Sequence, residues 1–481
     1  MQFLYLILTP LILGRRIIKY SANFSTIGQR GSNIRIFAAH VTVLNTLQLL
    51  IFFALLLYSL ASHGYYFAYI PDQANDSNNK YLHVINTTLG LYVDKILLNG
   101  TPRDVALNHR GNYVFVSAIV NTGSSTNSNI NVIDTSSNQN QLILSIDANS
   151  VKGMTLSSDD NTLYVTHDKG ITRIYQYYEQ TTLDLTYRGA SLVLGYQDSV
   201  LFVIGTDDNN TDGISVVDVS QQGMSEIATY RLGSELAANA VVFNPSNNEL
   251  FVLTTANHPT DNISGGQVVR LATKRVSTDA IKLDFIQSHA FPRNSFPVDI
   301  ALNPKNTELY IALSYINPNG SKHDLGFGNG YISLIDIDNF DKQNNVSLSP
   351  QGGQYALTGG FGAVHPLAIS FDDSGKAHVV KQLWNEVSGI YVSALKESIS
   401  GASDSRVIRE GSAINLGRSA STQLTGKFIG AKCTDCPSGL TPPNQTVPRA
   451  SAIDPLIILF FVIFFLKRLT VAQLKMRFLN L

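Results

Sequence analysis

The segment Asp208-Asn209-Asn210-Thr211-Asp212-Gly213 offers side-chain oxygens at alternate positions, Asp208, Asn210 and Asp212, and ends on glycine. A hard cation such as Ca²⁺ takes oxygens at that spacing, and the glycine supplies a sharp turn. A complete calcium loop would carry its bidentate Glu where this chain has Val219. A plain Asp/Asn turn is therefore the competing reading. Farther along, Arg293, His323, Asp324, His365 and Trp384 bring together a guanidinium, two imidazoles, a carboxylate and the chain's single tryptophan. Those groups suit ligand binding by charge and stacking, with packing of Trp384 against neighbouring elements as the alternative. Gly326-Phe327-Gly328-Asn329-Gly330 is glycine-rich but leads into a strand. With no helix N-terminus behind it to hold a phosphate, it reads as a flexible loop.

Cys433 and Cys436 are the only cysteines. Pro437 follows them where a haem c attachment site would need His, so a local disulfide is expected, with metal binding or lipid modification as alternatives. The histidines form no HxxxH, HxH or Cys/His cluster, which argues against zinc, and no G-x-S-x-G elbow occurs. The sequence assigns no catalytic residues. No cofactor is expected, calcium being the one ion the residues could take.

Only 15% of residues are charged while Asn, Ser and Thr abound, a balance that suits a β-rich extracytoplasmic protein better than a helical enzyme. The net charge of −1 is unevenly spread. Arg15, Arg16, Lys19, Arg30 and Arg35 precede the first acid, Asp72, and basic residues also dominate the other end, so the body between them is acidic. An acidic body argues against nucleic acid as a partner.

Near the N-terminus the apolar run Leu47 to Ala61, extended back to about residue 39, is long enough to span a bilayer, which takes about 20 residues. Its positive flank would stay in the cytoplasm and send the rest across the membrane. Ser59-Leu60-Ala61 would also serve a signal peptidase, so a cleaved signal and an uncleaved anchor both remain open. At the far end, Cys433/Cys436, a Pro-rich tether, Asp454-Pro455, the run Pro455 to Leu466 and Lys467-Arg468 follow one another. This layout resembles the C-terminal sorting segments of bacterial surface proteins. The expected organisation is a signal or anchor region at 1–61, a linker at 62–79 and a β domain at 80–431. A Cys/Pro tether at 432–451, a transmembrane or sorting segment at 452–470 and a basic cytoplasmic tail at 471–481 complete it.

The domain between is repetitive. Asn108, Ser157, Gly195, Asn244 and Asn303 each precede an aromatic by seven positions: Phe115, Tyr164, Phe202, Phe251 and Tyr310. A sixth unit begins at Ala368 and has His378 in the aromatic's place. Each unit reads as strand, tight turn, strand, then a third strand such as Asn131 to Ser136, Ser215 to Ser220 or Ser333 to Asp338. The units at Ile171 to Gln176 and Gln267 to Ala272 lack that strand's Asp. Uneven spacing suits a fixed core with variable loops, and the long insertions all fall on one face. Those insertions are Val120 to Asn129, Thr206 to Gly213, Ala256 to Gln267, Phe291 to Phe296, Tyr315 to Gly330 and Ser349 to His365.

Leu163-Tyr164-Val165-Thr166-His167, the Val-Ile-Asp-Thr of 132–135 and the unit-opening Pro102, Pro297 and Pro366 resemble the YVTN-type β-propeller repeat, over roughly Lys80 to Ser398. The expected fold is an all-β propeller of four-stranded blades, seven in number or alternatively six, with a transmembrane helix or signal at each end. Residues 81–98 read as third and fourth strands lacking a first pair. Ala413 to Gly417 and Gly426 to Ala431 would supply that pair and close the ring. The expected function is a membrane-anchored binding scaffold at the cell surface, with a protein or glycan ligand on its looped face. An enzyme of the lactonase type, which the resemblance implies, and a surface-layer or adhesion protein are the alternatives.

Overall fold

The structure is a computed structural model. It describes residues within 66–432, apart from 74–79, 122–125, 221–222, 234–235, 257–264, 278–279, 293–294, 316–329, 342, 348–362, 373–374, 385–388, 400–405, 420–422 and 425–428. Both expected membrane segments, 39–61 and 452–470, lie outside the described residues. Among the described residues no helix is long and apolar enough to cross a membrane.

Short apolar runs broken by turn formers give strands throughout. The chain opens with β1 (Tyr66–Gln73), β2 (Tyr81–Asn86) and β3 (Leu91–Leu97). Six four-stranded sheets of consecutive strands follow. The first holds β4 (Thr101–Leu107), β5 (Tyr113–Asn121), β6 (Thr126–Asp134) and β7 (Gln139–Ile146). The second holds β8 (Val151–Leu156), β9 (Thr162–His167), β10 (Gly170–Tyr175) and β11 (Glu179–Asp184). The third is β12 (Arg188–Gly195), β13 (Val200–Thr206), β14 (Asp212–Asp218) and β15 (Ser225–Gly233). The fourth is β16 (Leu236–Asn244), β17 (Glu249–Ala256), β18 (Gly266–Ser277) and β19 (Ala280–Ala290). Next come β20 (Ser295–Leu302), β21 (Glu308–Tyr315), β22 (Tyr331–Asp336) and β23 (Gln343–Ser347). The last is β24 (Ala363–Phe371), β25 (Ala377–Trp384), β26 (Gly389–Ile399) and β27 (Arg406–Ser419). Two short strands, β28 (Gln423–Leu424) and β29 (Ile429–Lys432), then return to pair with β1.

The fold is thus an all-β propeller. Its complete four-stranded blades number six, the alternative count, which corrects the expectation of seven four-stranded blades. The sheet that completes the ring has five strands, β28 and β29 sharing one edge of β1, followed by β2 and β3. Residues 81–98 do form its third and fourth positions. Its second strand, however, is β1, inside the stretch read as a linker. Pro71 disguised β1, because proline lacks a donor and argues against a central strand. It is tolerated because β29 pairs with Tyr66 to Tyr69 and β28 with Asp72 and Gln73, so among the described residues no first-strand residue pairs with Pro71. Ala413 to Gly417 belongs instead to β27, where Ala413 pairs with Ser393 and Ile414 with Val392.

Seven clusters of buried apolar side chains each join two neighbouring sheets, including both sides of the five-stranded one. The aromatic column lies within them, with Phe115, Phe202 and Phe251 fully buried. Each such ring contributes roughly 1.5–3 kcal/mol by leaving water. Phe202 stacks on Phe243 of the next blade, ring centroids 5.5 Å apart. The turns between first and second strands share a left-handed residue: Gly111, Asp160, Asp198, Asn248, Asn306 and Gly375. Only Gly, Asp and Asn take that conformation cheaply. These turns are tied across blades. Asp160 accepts from the backbone N–H groups of His109 (2.7 Å) and Arg110 (3.2 Å), and Asp198 accepts from that of Ser158.

Candidate functional site

Every pairing within the blades is antiparallel, so first strands begin, second strands end and third strands begin on one face. Residues 316–330, between β21 and β22, and 348–362, between β23 and β24, join strands on that face. The connections on the opposite face, such as 108–112, 157–161 and 303–307, are short. Several expected insertions are shorter than the sequence suggested. β5 runs to Asn121 and β6 resumes at Thr126, while Thr206, Asp212 and Gly213 are strand residues. The alternating Asn/Ser/Thr of these segments carries hairpin arms as well as turns.

The first strands line the central channel, and each carries a β-bulge at the same place. Register shifts at the second-strand pairing set off Arg103, Lys152 with Gly153, Ala190, Asn239, Val298 and Leu367. A bulge redirects the side chain it carries. Three residues farther in, Thr155, Val193, Val242, Ala301 and Ser370 line a cavity of about 430 Å³. Of the six bulge sites only those of β4 and β8, which are neighbours, carry charge, and both charges are positive. Arg103 and Lys152 are exposed.

The residue after the bulge turns toward the next blade. Asp104 Oδ2 accepts from Met154 N–H at 2.6 Å, and Asp299 Oδ2 accepts from Ile369 N–H at 3.0 Å. Both carboxylates are buried, so this bond satisfies a polar group that would otherwise be costly.

Asp212 enters the same mouth from β14. Burial raises its carboxyl above the usual value, and this outweighs the opposing hydrogen bonds from Ala238 N–H (3.4 Å) and Thr206 Oγ1 (3.1 Å) and the nearby Lys152 ammonium. Asp207 behaves oppositely: backbone N–H groups of Thr211 (2.8 Å) and Asn209 (2.9 Å) converge on its Oδ1 and hold its carboxyl below the usual value. This is an Asx-type turn. Asp208 pairs with Arg188, and Asn210 adopts φ 57°. Of the three proposed calcium ligands, Asp208 therefore faces Arg188, Asp212 faces Thr206 and Ala238, and Asn210 sits at the left-handed position of the turn that Asp207 closes. Among the described residues no group of three or more His, Cys, Asp or Glu side chains could hold a metal ion. His167, at the end of β9, is buried, which lowers its imidazole below the usual value. Its Nδ1 accepts from Lys169 N–H (3.2 Å), so Nε2 is the donor to Thr172 Oγ1 at 3.0 Å.

Of the ligand-binding residues expected from sequence, Arg293, His323 and Asp324 lie outside the described residues, as do Cys433 and Cys436. His365 and Trp384, read as loop residues, are strand residues. His365 pairs with Gln382 and Trp384 with Ala363, at the looped end of the last blade. Arg103 and Lys152 went unnoticed in sequence. Aligning the first strands on the aromatic column would have placed both at one register position.

No family model matches the chain, and no curated protein matches it. Among solved structures, it is similar to a putative 6-phosphogluconolactonase from Bacteroides uniformis, with 11% identity, TM-score 0.47 and coverage of 76% of this chain and 99% of that one. It is also similar to the periplasmic gluconolactonase PpgL of Pseudomonas aeruginosa, with 10% identity, TM-score 0.45 and coverage of 75% and 99%. Hydrazine synthase of Kuenenia stuttgartiensis gives 11% identity, TM-score 0.44 and coverage of 62% and 77%. At these values the likenesses carry no argument about activity.

Proposed function

We propose that this chain is a membrane-anchored, extracytoplasmic propeller of the YVTN-repeat type that binds a protein or glycan ligand through its looped face. The observation that carries this reading is the asymmetry of the connections. The two longest, 316–330 and 348–362, both belong to the face where the channel mouth carries its two bulge cations. Loops held on a rigid scaffold are the usual bearers of recognition. The one-sided basic flank of the N-terminal apolar run, and the sorting-like order of tether, apolar run and basic residues at the other end, support the anchored, extracytoplasmic placement.

An enzyme of the lactonase type is the second reading, favoured by one observation, the raised carboxyl of Asp212 beside Lys152. The binding reading has more support, because the buried imidazole of His167 at this rim is already engaged by Thr172 and Lys169.

The test is affinity capture from envelope extracts with the full chain in detergent, beside a variant with 317–329 shortened. A partner retained by the intact protein and lost with the loop, at unchanged melting temperature, is the expected result. Equal capture by both proteins would remove the looped face from the reading. Lactone hydrolysis that depends on Asp212 would favour the enzyme instead.

A further inference from the structure

We propose that the looped face is a modification site, with N-linked sugar carried on the side-chain amides of Asn99 and Asn209. This inference rests on the extracytoplasmic placement of the propeller and goes beyond the binding reading. A partner of this face then meets sugar as well as protein.

An asparagine with Ser or Thr two positions later, and no Pro between, is the acceptor for such transfer. Between β1 and β29 this motif occurs at Asn75, Asn86, Asn99, Asn209, Asn262, Asn319 and Asn345. All but Asn86 and Asn345 fall in connections that join strands on the looped face: 74–80, 98–100, 207–211, 257–265 and 316–330. The opposite face is not short of asparagine. Asn108, Asn112, Asn161, Asn248 and Asn306 sit in its turns, yet none has Ser or Thr two positions on. Several of them serve the turns instead. Asn108 Oδ1 accepts from Tyr113 N–H at 2.9 Å, and Asn248 and Asn306 hold left-handed positions. Tyr66 and Lys432, at the two ends of the described ring, pair on that same opposite face. The segments leading to the expected anchors therefore leave the ring from the side that lacks exposed motifs.

Exposure then separates the instances. Asn99 is exposed, and its backbone is fixed by Asn131, whose Oδ1 accepts from Asn99 N–H at 2.9 Å and whose Nδ2 donates to Asn99 O at 3.3 Å. Among the described residues no hydrogen bond engages the Asn99 carboxamide. Asn209 is exposed at the tip of the turn that Asn210 N–H closes onto Asp207 O at 3.1 Å. A sugar on either projects into solvent without disturbing a strand. Asn86 is the reverse: it is 6% exposed, and its Oδ1 accepts from Leu89 N–H at 2.9 Å inside the β2–β3 turn. A sugar there would have to break that turn. Asn345 lies in the β22–β23 ladder opposite Ser333, on neither face.

The transfer is a displacement. Its donor is a lipid-linked oligosaccharide whose first sugar is joined through C1 to phosphate. The Asn amide nitrogen bonds to C1, the C1–O bond to phosphate breaks, the lipid phosphate leaves, and one amide proton passes to a base of the transferase. Thr101 and Thr211 supply the hydroxyl two positions on. Thr211 is buried in the finished blade, so transfer precedes closure of that blade. The fold then admits chains modified at Asn99 and Asn209 and rejects those modified at Asn86.

The test uses the full chain purified in detergent from its own membranes. Peptide mass spectrometry reads each asparagine, and a membrane-impermeant amine label applied to intact cells reads the side of the membrane. The expected result is added sugar mass on the peptides holding Asn99 and Asn209, none on the peptide holding Asn86, and label on the propeller. Asn99→Gln and Thr101→Ala each abolish the added mass at Asn99, whereas Thr101→Ser retains it. Asn209→Gln abolishes the mass at its own site and leaves that at Asn99. Because Asn99 and Asn209 are exposed, their Gln variants fold as the parent does, which keeps the comparison free of misfolding. Absence of sugar from one asparagine overturns the proposal for that site. Absence from both in a protein that takes the label overturns it altogether and leaves the extracytoplasmic placement standing. Absence from both in a protein the label does not reach overturns the placement as well. Sugar at Asn86 in the folded protein would also sink the proposal.

Discussion

His378 Nε2 lies 2.9 Å from Asp372 Oδ2, with both side chains buried. His378 occupies the place that Phe115, Phe202 and Phe251 fill in other blades. The last blade therefore replaces an apolar plug with a polar pair, whose acid sits in the turn and also accepts from Lys376 N–H at 3.0 Å.

Removing the imidazole leaves a buried carboxyl short of a partner. His378→Ala should cost about 1–3 kcal/mol, and Asp372→Asn, which keeps acceptor capacity, should cost less. Urea denaturation of the two variants gives the comparison. Equal losses would mean that packing rather than the pair decides this site.

The aromatic column makes a sharper demand. Phe202→Ala and Phe251→Ala empty buried space between blades and should each cost about 3–5 kcal/mol. Phe296→Ala, at a site 37% exposed, should cost far less. Denaturation midpoints at matched slopes measure the difference.

Asp104 and Asp299 act between blades. Asp104→Ala removes the acceptor for Met154 N–H and should destabilise by about 1–3 kcal/mol, with Asp104→Asn partly restoring it. Hydrogen exchange at the Met154 amide should quicken in the Ala variant while amides of the third blade stay protected.

Asp212 makes stability depend on pH with a defined sign. Its folded carboxyl sits above the ordinary value of 3.8. The folded state therefore holds a proton more readily than the unfolded chain, and stability falls as pH rises from about 3.8 through the raised value. Asp212→Asn should flatten the stability curve over that window. Lys152→Gln, by removing a nearby cation, should push the Asp212 carboxyl higher still. Carboxyl ¹³C titration of Asp212 reads this directly, and a downward movement would contradict it.

The propeller was legible because its evidence is periodic. A turn former seven positions ahead of a buried aromatic states strand, turn and strand in one phrase, and the hydrophobic effect enforces it in each blade. What stayed hidden was what the period does not govern. β1 carries Pro71 and borders an apolar run, so its strand character was masked, and Ala413 to Gly417 has the composition of either a closing or an outer strand. The mouth residues were hidden for a different reason. Arg103 and Lys152 look like ordinary exposed bases in sequence, and only the shared bulge puts them on one rim. Trp384 and His365 were misread as loop because a strand end and a loop start share the same residue types.

The ring is completed by pairing the two ends of the described chain, Phe67 with Ala431 and Ala68 with Gly430. The chain is synthesised from one end, so β1 has an open hydrogen-bonding edge until every blade has been made. Folding must hold that edge unpaired through the assembly of six sheets. The contact that ends this exposure is also the one of greatest sequence separation, so closure is expected to be the slow and aggregation-prone step. Loss of Ile429 to Lys432 would make that temporary hazard permanent.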